Sequence, residues 1–157
     1  MPNLMIVQNE YNDSGALKRV LDYALNTPLK GGYAVDSAYA YQMMHLIKRA
    51  YGKTDGVQLK HFIVSFTQKE VYSLSFEDMN RLGFEIGKIM KDYQMVYGIH
   101  LDTGNEHIHF VMNTVSFQDG KKYADGIHGI YKLLKFLQEQ FPGSVCRVFL
   151  SQSHYQK

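Results

Sequence analysis

The spacing of apolar residues changes several times along this chain, and each change predicts an element. Leu4 to Val7, four apolar residues in a row, predict a short opening strand. Leu17, Val20, Leu21 and Ala24 then recur at helical spacing, which predicts a helix from about Gly15 to Leu25 with Asp13 or Ser14 as its cap. Pro28 and then Gly31-Gly32 end it. A second helix is predicted from Ser37 to Tyr51, where Gly52 stops it. Val57 to Phe66 is rich in β-formers and predicts a long strand. Ser75 is placed to cap a helix from Phe76 to about Tyr93, with Asp78 at the third helical position as a near-match to a capping box. Two strands follow, Gln94 to Leu101 and His107 to Phe117, joined by the polar turn Asp102-Thr103-Gly104-Asn105-Glu106. This pair is the strongest hairpin signal in the chain. A turn at Gln118-Asp119-Gly120, a helix from about Ile127 to Gln140 and a last strand, Val145 to Leu150, complete the pattern. Helices and strands interleave, yet the central strands are joined by a hairpin. The predicted class is therefore α+β, a largely antiparallel central sheet of about five strands with helices packed on it.

Composition adds bounds. A chain of 157 residues is expected to form one domain, residues 1–157, around a single core. The absence of a long apolar run predicts no membrane span, and the polar turn after Val7 predicts no secretion signal. Cys146 is the only cysteine, which excludes an internal disulfide and a cysteine-built metal cage, and makes a reducing, cytoplasmic setting the default. A net charge of +2 permits a polyanionic partner without requiring one.

The chemistry concentrates between Gly98 and Phe110. Residues two apart in a strand share a face, so His107 and His109 project together while Ile108 turns into the core. His100 ends the preceding strand, and a hairpin lays the two strand ends side by side. Three imidazoles then converge on a metal with open positions, as a catalytic site requires. Imidazole ligands admit Zn, Ni, Cu or Mn more readily than Mg. Asp102, Glu106 and Asn113 are polar groups placed to hold an imidazole by its second nitrogen. His45, His61, His128 and His154 lack this spacing and read as structural. An open metal makes hydroxide or polarises a phosphate or carbonyl. The chain has no P-loop and no serine elbow, so a polarised phosphate would need a separate nucleophile, with tyrosine the candidate. The pattern alone does not select among the twelve tyrosines.

The run His100-Leu-Asp-Thr-Gly-Asn-Glu-His107-Ile-His109-Phe-Val-Met-Asn113-Thr-Val resembles the third motif of the relaxase/mobilization nuclease family, whose His-hydrophobic-His endonucleases start conjugative DNA transfer. Tyr51 to Phe66 resembles that family's second motif. Ala16-Leu-Lys-Arg-Val-Leu-Asp22-Tyr23-Ala-Leu is similar to its tyrosine motif, with Ala24 where isoleucine is usual. Asp119-Gly120-Lys121-Lys122 resembles the turn that follows its metal strand. The likeness covers roughly residues 14 to 125.

The resemblance implies a relaxase: metal-dependent, site- and strand-specific nicking of DNA at an origin of transfer, through a 5′-phosphotyrosyl intermediate that can be rejoined. It implies Tyr23 as nucleophile and a divalent metal, Mn or Mg, on His100, His107 and His109. Tyr33, Tyr39 and Tyr41 are the substitutes should the helix lie otherwise. Asp22 and Asp102 are candidate bases. Ser65, Lys18, Arg19, Lys53, Lys121 and Lys122 are candidate DNA contacts, with Lys30, Lys48, Arg49 and Lys60 further phosphate partners. The partners implied are single-stranded DNA at an origin of transfer and accessory relaxosome proteins. Relaxases are usually longer than this chain, which is expected to be a trimmed catalytic domain or a short variant. Two alternatives stay open. One is a replication initiator or single-strand transposase using Tyr131 on the helix after the metal strands; the other is a non-catalytic origin-binding module.

Overall fold

In the computed structural model, which describes residues 2–7, 11–66, 74–101, 106–124, 126–142 and 146–151, the expected hairpin strands lie at the middle of a sheet. β4 (Met95–His100) and β5 (His107–Asn113) pair antiparallel, with His100 opposite His107 and Gly98 opposite His109. β3 (Leu59–Ser65) pairs antiparallel with the other side of β5 and sets Ser65 opposite His107. β1 (Asn3–Val7) runs antiparallel to β3, β6 (Arg147–Ser151) parallel to β1, and β2 (Lys30–Tyr33) antiparallel to β4. The spatial order is β2-β4-β5-β3-β1-β6.

Six strands replace the five expected. The extra one, β2, is Lys-Gly-Gly-Tyr, which local propensity marks as a helix-ending loop because glycine is depleted in strands. Its glycines serve close packing instead: a Cβ on Gly31 would collide with the Tyr97 ring, and one on Gly32 with the Val35 carbonyl.

Helices cover both faces. α1 (Ala16–Ala24) and α2 (Ala40–Ala50) lie on one, where Leu17, Val20, Leu21 and Met44 pack on Ile63, Val96 and Val111. α3 (Phe76–Ile89) and α4 (Ile127–Gln140) lie on the other, where Met79, Ile86, Leu133 and Leu137 pack on Phe62, Ile99, Ile108 and Phe110. A strand covered on both faces loses the alternation of apolar and polar residues, which is why β5 is buried from Ile108 onward. Each large side chain so buried contributes about 1.5–3 kcal/mol of transfer free energy.

The helix starts follow local chemistry unevenly. The box at Ser75 forms as expected: its hydroxyl accepts from Asp78 N at 3.1 Å, and the Asp78 carboxylate accepts from Ser75 N at 3.1 Å. Neither Asp13 nor Ser14 caps α1. Gly15 holds the cap position, and the Asp13 carboxylate pairs with Arg19. The second helix is split: Asp36 caps a short 3₁₀ turn, Ser37–Tyr39, before α2 begins. Among the described residues, no helix is long and apolar enough to cross a membrane.

Candidate active site

Strand periodicity puts His107 and His109 on the face of β5 that α1 covers, together with Val111. His109 is buried, while His107 and His100 are half-buried at the strand ends. The ring centroids of His100 and His109 are 4.4 Å apart, and those of His107 and His109 6.1 Å apart. Two imidazoles bound to one ion at about 2.1 Å have centroids roughly 4.5–5 Å apart, a spacing that His100 and His109 match and that His107 and His109 exceed.

For two of the rings, hydrogen bonds bear on which nitrogen faces a metal. His100 Nε2 lies 2.8 Å from Ala24 O, and a carbonyl only accepts, so Nε2 donates there and Nδ1 is the nitrogen that would meet a metal. His109 uses Nδ1 toward His61 at 3.3 Å, so Nε2 is the atom through which it would meet a metal. Ligating histidines ordinarily bond through their other nitrogen in this way. The buried Oε2 of Glu106 has no hydrogen-bond partner among the described residues, one position before His107. Imidazole nitrogens make a donor set suited to a divalent cation. The set is gathered without being closed: among the described residues, no group of three or more His, Cys, Asp or Glu side chains is arranged to hold a metal ion.

Tyr23 comes to the same place. It is the penultimate residue of α1, 39% exposed, and its ring stacks on His100 at 5.8 Å and meets His109 edge-on at 5.4 Å. The close approach depends on Gly98, because a Cβ there would collide with Ala24 O. Thr27 Oγ1 donates to Ile99 O at 2.6 Å, and Ile99 N to Leu29 O at 2.8 Å, pinning the end of α1 to β4. A cleft of about 400 Å³ opens beside His100, lined by Asn26, Thr27, Pro28, Leu29 and Leu101.

The substitute tyrosines lie elsewhere. Tyr33 donates to Lys91 O and packs on Phe84 and Phe117, Tyr39 is exposed in the 3₁₀ turn, and Tyr41 stacks on His45. Tyr131 is exposed on α4, a helix seated on the opposite face of the sheet.

Several expected site residues are not brought to the histidines. Asn113 is buried at the far end of β5, where it accepts from Lys48 and donates to Met44 O and Gln94, so it holds no imidazole. Lys48 is itself buried, donating to Gln58 O and Asn113 Oδ1 at 2.7 Å each, and cannot reach a phosphate. Burial, with Lys122 as a second cause, lowers its pKa to about 8. Lys53 donates to Gly120 O, Lys122 to Asp55 O, and Lys121 stands 3.9 Å from Asp119. These three tie the turn beyond β5, roughly 20 Å from His107 at 3.3 Å per strand residue. Asp22 spends its carboxylate on Lys18 at 3.3 Å and lines a polar pocket with Lys30 and Tyr41. Lys30 donates to Leu25 O. Arg49 and Lys60 are exposed.

Two predicted DNA contacts do lie close. Ser65 is half-buried beside His107 in the sheet register. Arg19 is one helical turn before Tyr23, paired with Asp13 at 3.2 Å in the open. Asp102 lies outside the described residues.

The spacing of His61 reads as structural, yet this residue touches the site. It is buried on β3, with Nε2 on His109 and Nδ1 3.2 Å from the hydroxyl of Tyr11. The available signal was its period-two relation to Ser65, which places both on the histidine face.

A family model described as Relaxase: MobA/VirD2-like, nuclease domain matches residues 23–140. Two proteins named Protein rlx from Staphylococcus aureus are similar: one is 36% identical over 107 residues, covering 67% of this chain and 33% of its own, the other 34% identical over 117 residues, covering 73% and 34%. The chain thus spans about a third of the length of these curated relatives. The solved structure described as MobM Relaxase Domain (MOBV; Mob_Pre) bound to 26nt pMV158 oriT DNA shares the fold, with a TM-score of 0.56, 17% identity, and coverage of 88% of this chain and 83% of that one.

Proposed function

The chain belongs to the MobA/VirD2-like relaxase nuclease-domain family, and from that premise we propose that it nicks one strand of DNA at an origin of transfer. Tyr23 is the nucleophile, and His100, His107 and His109 hold a divalent metal ion. The family resemblance implies Mn or Mg; the imidazole ligands also admit Zn or Ni. The observation that carries this reading is the placement of the Tyr23 ring against both His100 and His109.

When bound, the metal polarises the scissile phosphate. Tyr23 presents its hydroxyl from the partly exposed end of α1 and attacks phosphorus. The new bond joins Tyr23 Oη to the 5′ phosphate, the P–O3′ bond breaks, and the proton lost by the Tyr23 hydroxyl balances the one gained by the departing 3′ oxygen, which becomes a hydroxyl. The energy of the broken ester is kept in the phosphotyrosine, so the 3′ hydroxyl can reverse the reaction. Arg19 and Ser65 are placed to contact phosphates beside the broken bond, and the cleft beside His100 offers room for a neighbouring nucleotide. The partners in this reading are single-stranded origin DNA and accessory relaxosome proteins, in a cytoplasmic setting.

The position of α4 disfavours the replication-initiator or transposase reading, because Tyr131 is carried on the face away from the histidines. The deciding experiment is a denaturing gel with wild type and Tyr23→Phe, single-stranded origin oligonucleotides, and Mn²⁺, Mg²⁺ or EDTA. A metal-dependent protein–DNA adduct, absent in Tyr23→Phe, is the expected result. An adduct that survives in Tyr23→Phe would move the nucleophile. No adduct on cognate DNA, with metal bound, would leave a non-catalytic origin-binding module.

A further inference from the structure

The bonds around His109 continue inward past the candidate metal site. His109 Nδ1 meets His61 Nε2 at 3.3 Å, and His61 Nδ1 meets the Tyr11 hydroxyl at 3.2 Å. All three side chains are buried: Tyr11 is 5% exposed, His61 1% and His109 4%. Tyr11 also has φ at +47°, a left-handed conformation that is an outlier for a bulky residue and persists only where its surroundings impose it. Its carbonyl is held by Gln58 N at 2.8 Å, just before β3 begins. In this conformation the buried Tyr11 hydroxyl lies against His61 Nδ1.

We propose that His61 and Tyr11 are positioning residues for His109, setting the tautomer in which its Nε2 can bind a metal ion. The inference rests on the reading that His109 is a metal ligand. For neutral rings the bond chain can run in two directions. In one, Tyr11 donates to His61 Nδ1 and His61 donates from Nε2 to His109 Nδ1. His109 then carries its proton on Nε2 and has no lone pair there for a metal. In the other, His109 donates from Nδ1, His61 accepts at Nε2 and carries its proton on Nδ1, and the Tyr11 oxygen accepts that proton's hydrogen bond. His109 Nε2 is then a donor to metal. A hydroxyl makes the second direction available because it accepts as well as donates. The arrangement extends the usual support of a ligating histidine by one further ring.

The test measures Mn²⁺ binding calorimetrically on wild type, Tyr11→Phe, His61→Leu and His61→Gln, with the His109 tautomer read by ¹⁵N NMR in the metal-free protein and in the protein loaded with diamagnetic Zn²⁺. Supporting groups of this kind change metal affinity by about 10–100-fold. Tyr11→Phe and His61→Leu are expected to weaken Mn²⁺ by that factor and to lose the Nδ1-protonated form of His109. His61→Gln is expected to restore both, because its amide oxygen can accept from His109 Nδ1. Unchanged affinity and tautomer in Tyr11→Phe would overturn the inference alone. That variant removes a single oxygen, so it decides the matter even if His61→Leu fails to fold. A wild type that binds none of Mn²⁺, Mg²⁺ or Zn²⁺ would overturn the metal reading itself, and this inference with it.

Discussion

Replacing Gly98 by alanine puts a methyl group where the end of α1 meets the sheet. The added Cβ would overlap the Ala24 carbonyl oxygen outright, and would stand 3.0 Å from its carbon and 3.1 Å from Thr27 Cγ2. Carbon atoms pack comfortably at about 3.5–4.0 Å, so clearing the oxygen moves the last turn of α1 outward by on the order of 1 Å. Two site features ride on that turn. Ala24 O accepts from His100 Nε2 at 2.8 Å, and Tyr23 is the preceding residue. A misplacement of about 1 Å at a reacting group slows a reaction by roughly 10²-fold, close to 3 kcal/mol in the barrier. Overpacking should lower stability by about 1–3 kcal/mol as well. The assay is single-turnover formation of the protein–DNA adduct at saturating Mn²⁺ and oligonucleotide, with chemical denaturation run beside it. A fall of about 100-fold in rate, with the chain still folded, is expected. A destabilised Gly98→Ala variant that forms adduct within threefold of the wild-type rate would refute the argument, by showing that the nucleophile is not placed by the seating of α1 on Gly98.

Ser75→Ala removes the hydroxyl that accepts from Asp78 N and should cost about 1 kcal/mol in urea unfolding without changing the adduct rate, since α3 lies on the far face. Lys48 titrates at about 8 in the folded protein against 10.5 in the unfolded chain. Between those values the unfolded state binds more protons, so stability rises with pH, by up to about 3 kcal/mol. Unfolding curves at pH 7.5, 9 and 10 should show this rise in wild type and its loss in Lys48→Met. Arg19→Ala should weaken binding of origin DNA and reduce its salt slope by about one phosphate contact, whereas Lys122→Ala, tied to Asp55 O at the far end of β5, should leave the adduct rate unchanged.

The hairpin was legible because β4 and β5 are strongly patterned and the polar turn between them is unmistakable. The period-two rule then placed His107 and His109 on one face without reference to the rest of the molecule. The capping box at Ser75 was equally local. β2 was hidden because glycines selected for close approach look like a break in structure. The lysines misled for a related reason. A side chain's charge is visible in sequence, but whether Lys48 turns inward to two oxygens, or Lys122 folds onto a turn carbonyl, depends on which carbonyls come within reach.

The same division holds for the site. The chain by itself set three histidines at hairpin spacing, from which a metal site is expected, and carries the motif whose family resemblance points to Tyr23, because strand period and motif are properties of neighbouring residues. Only the tertiary structure decided that α1 lies on the histidine face and α4 on the other, which brings Tyr23 to His100 and carries Tyr131 away. It also decided that His61 stands behind His109 with Tyr11 behind it. Those contacts join residues 48, 50 and 76 positions apart in the chain. No local pattern encodes them, since they arise from the pairing of β3 with β5 and from the seating of α1 and Tyr11 on one face of that sheet.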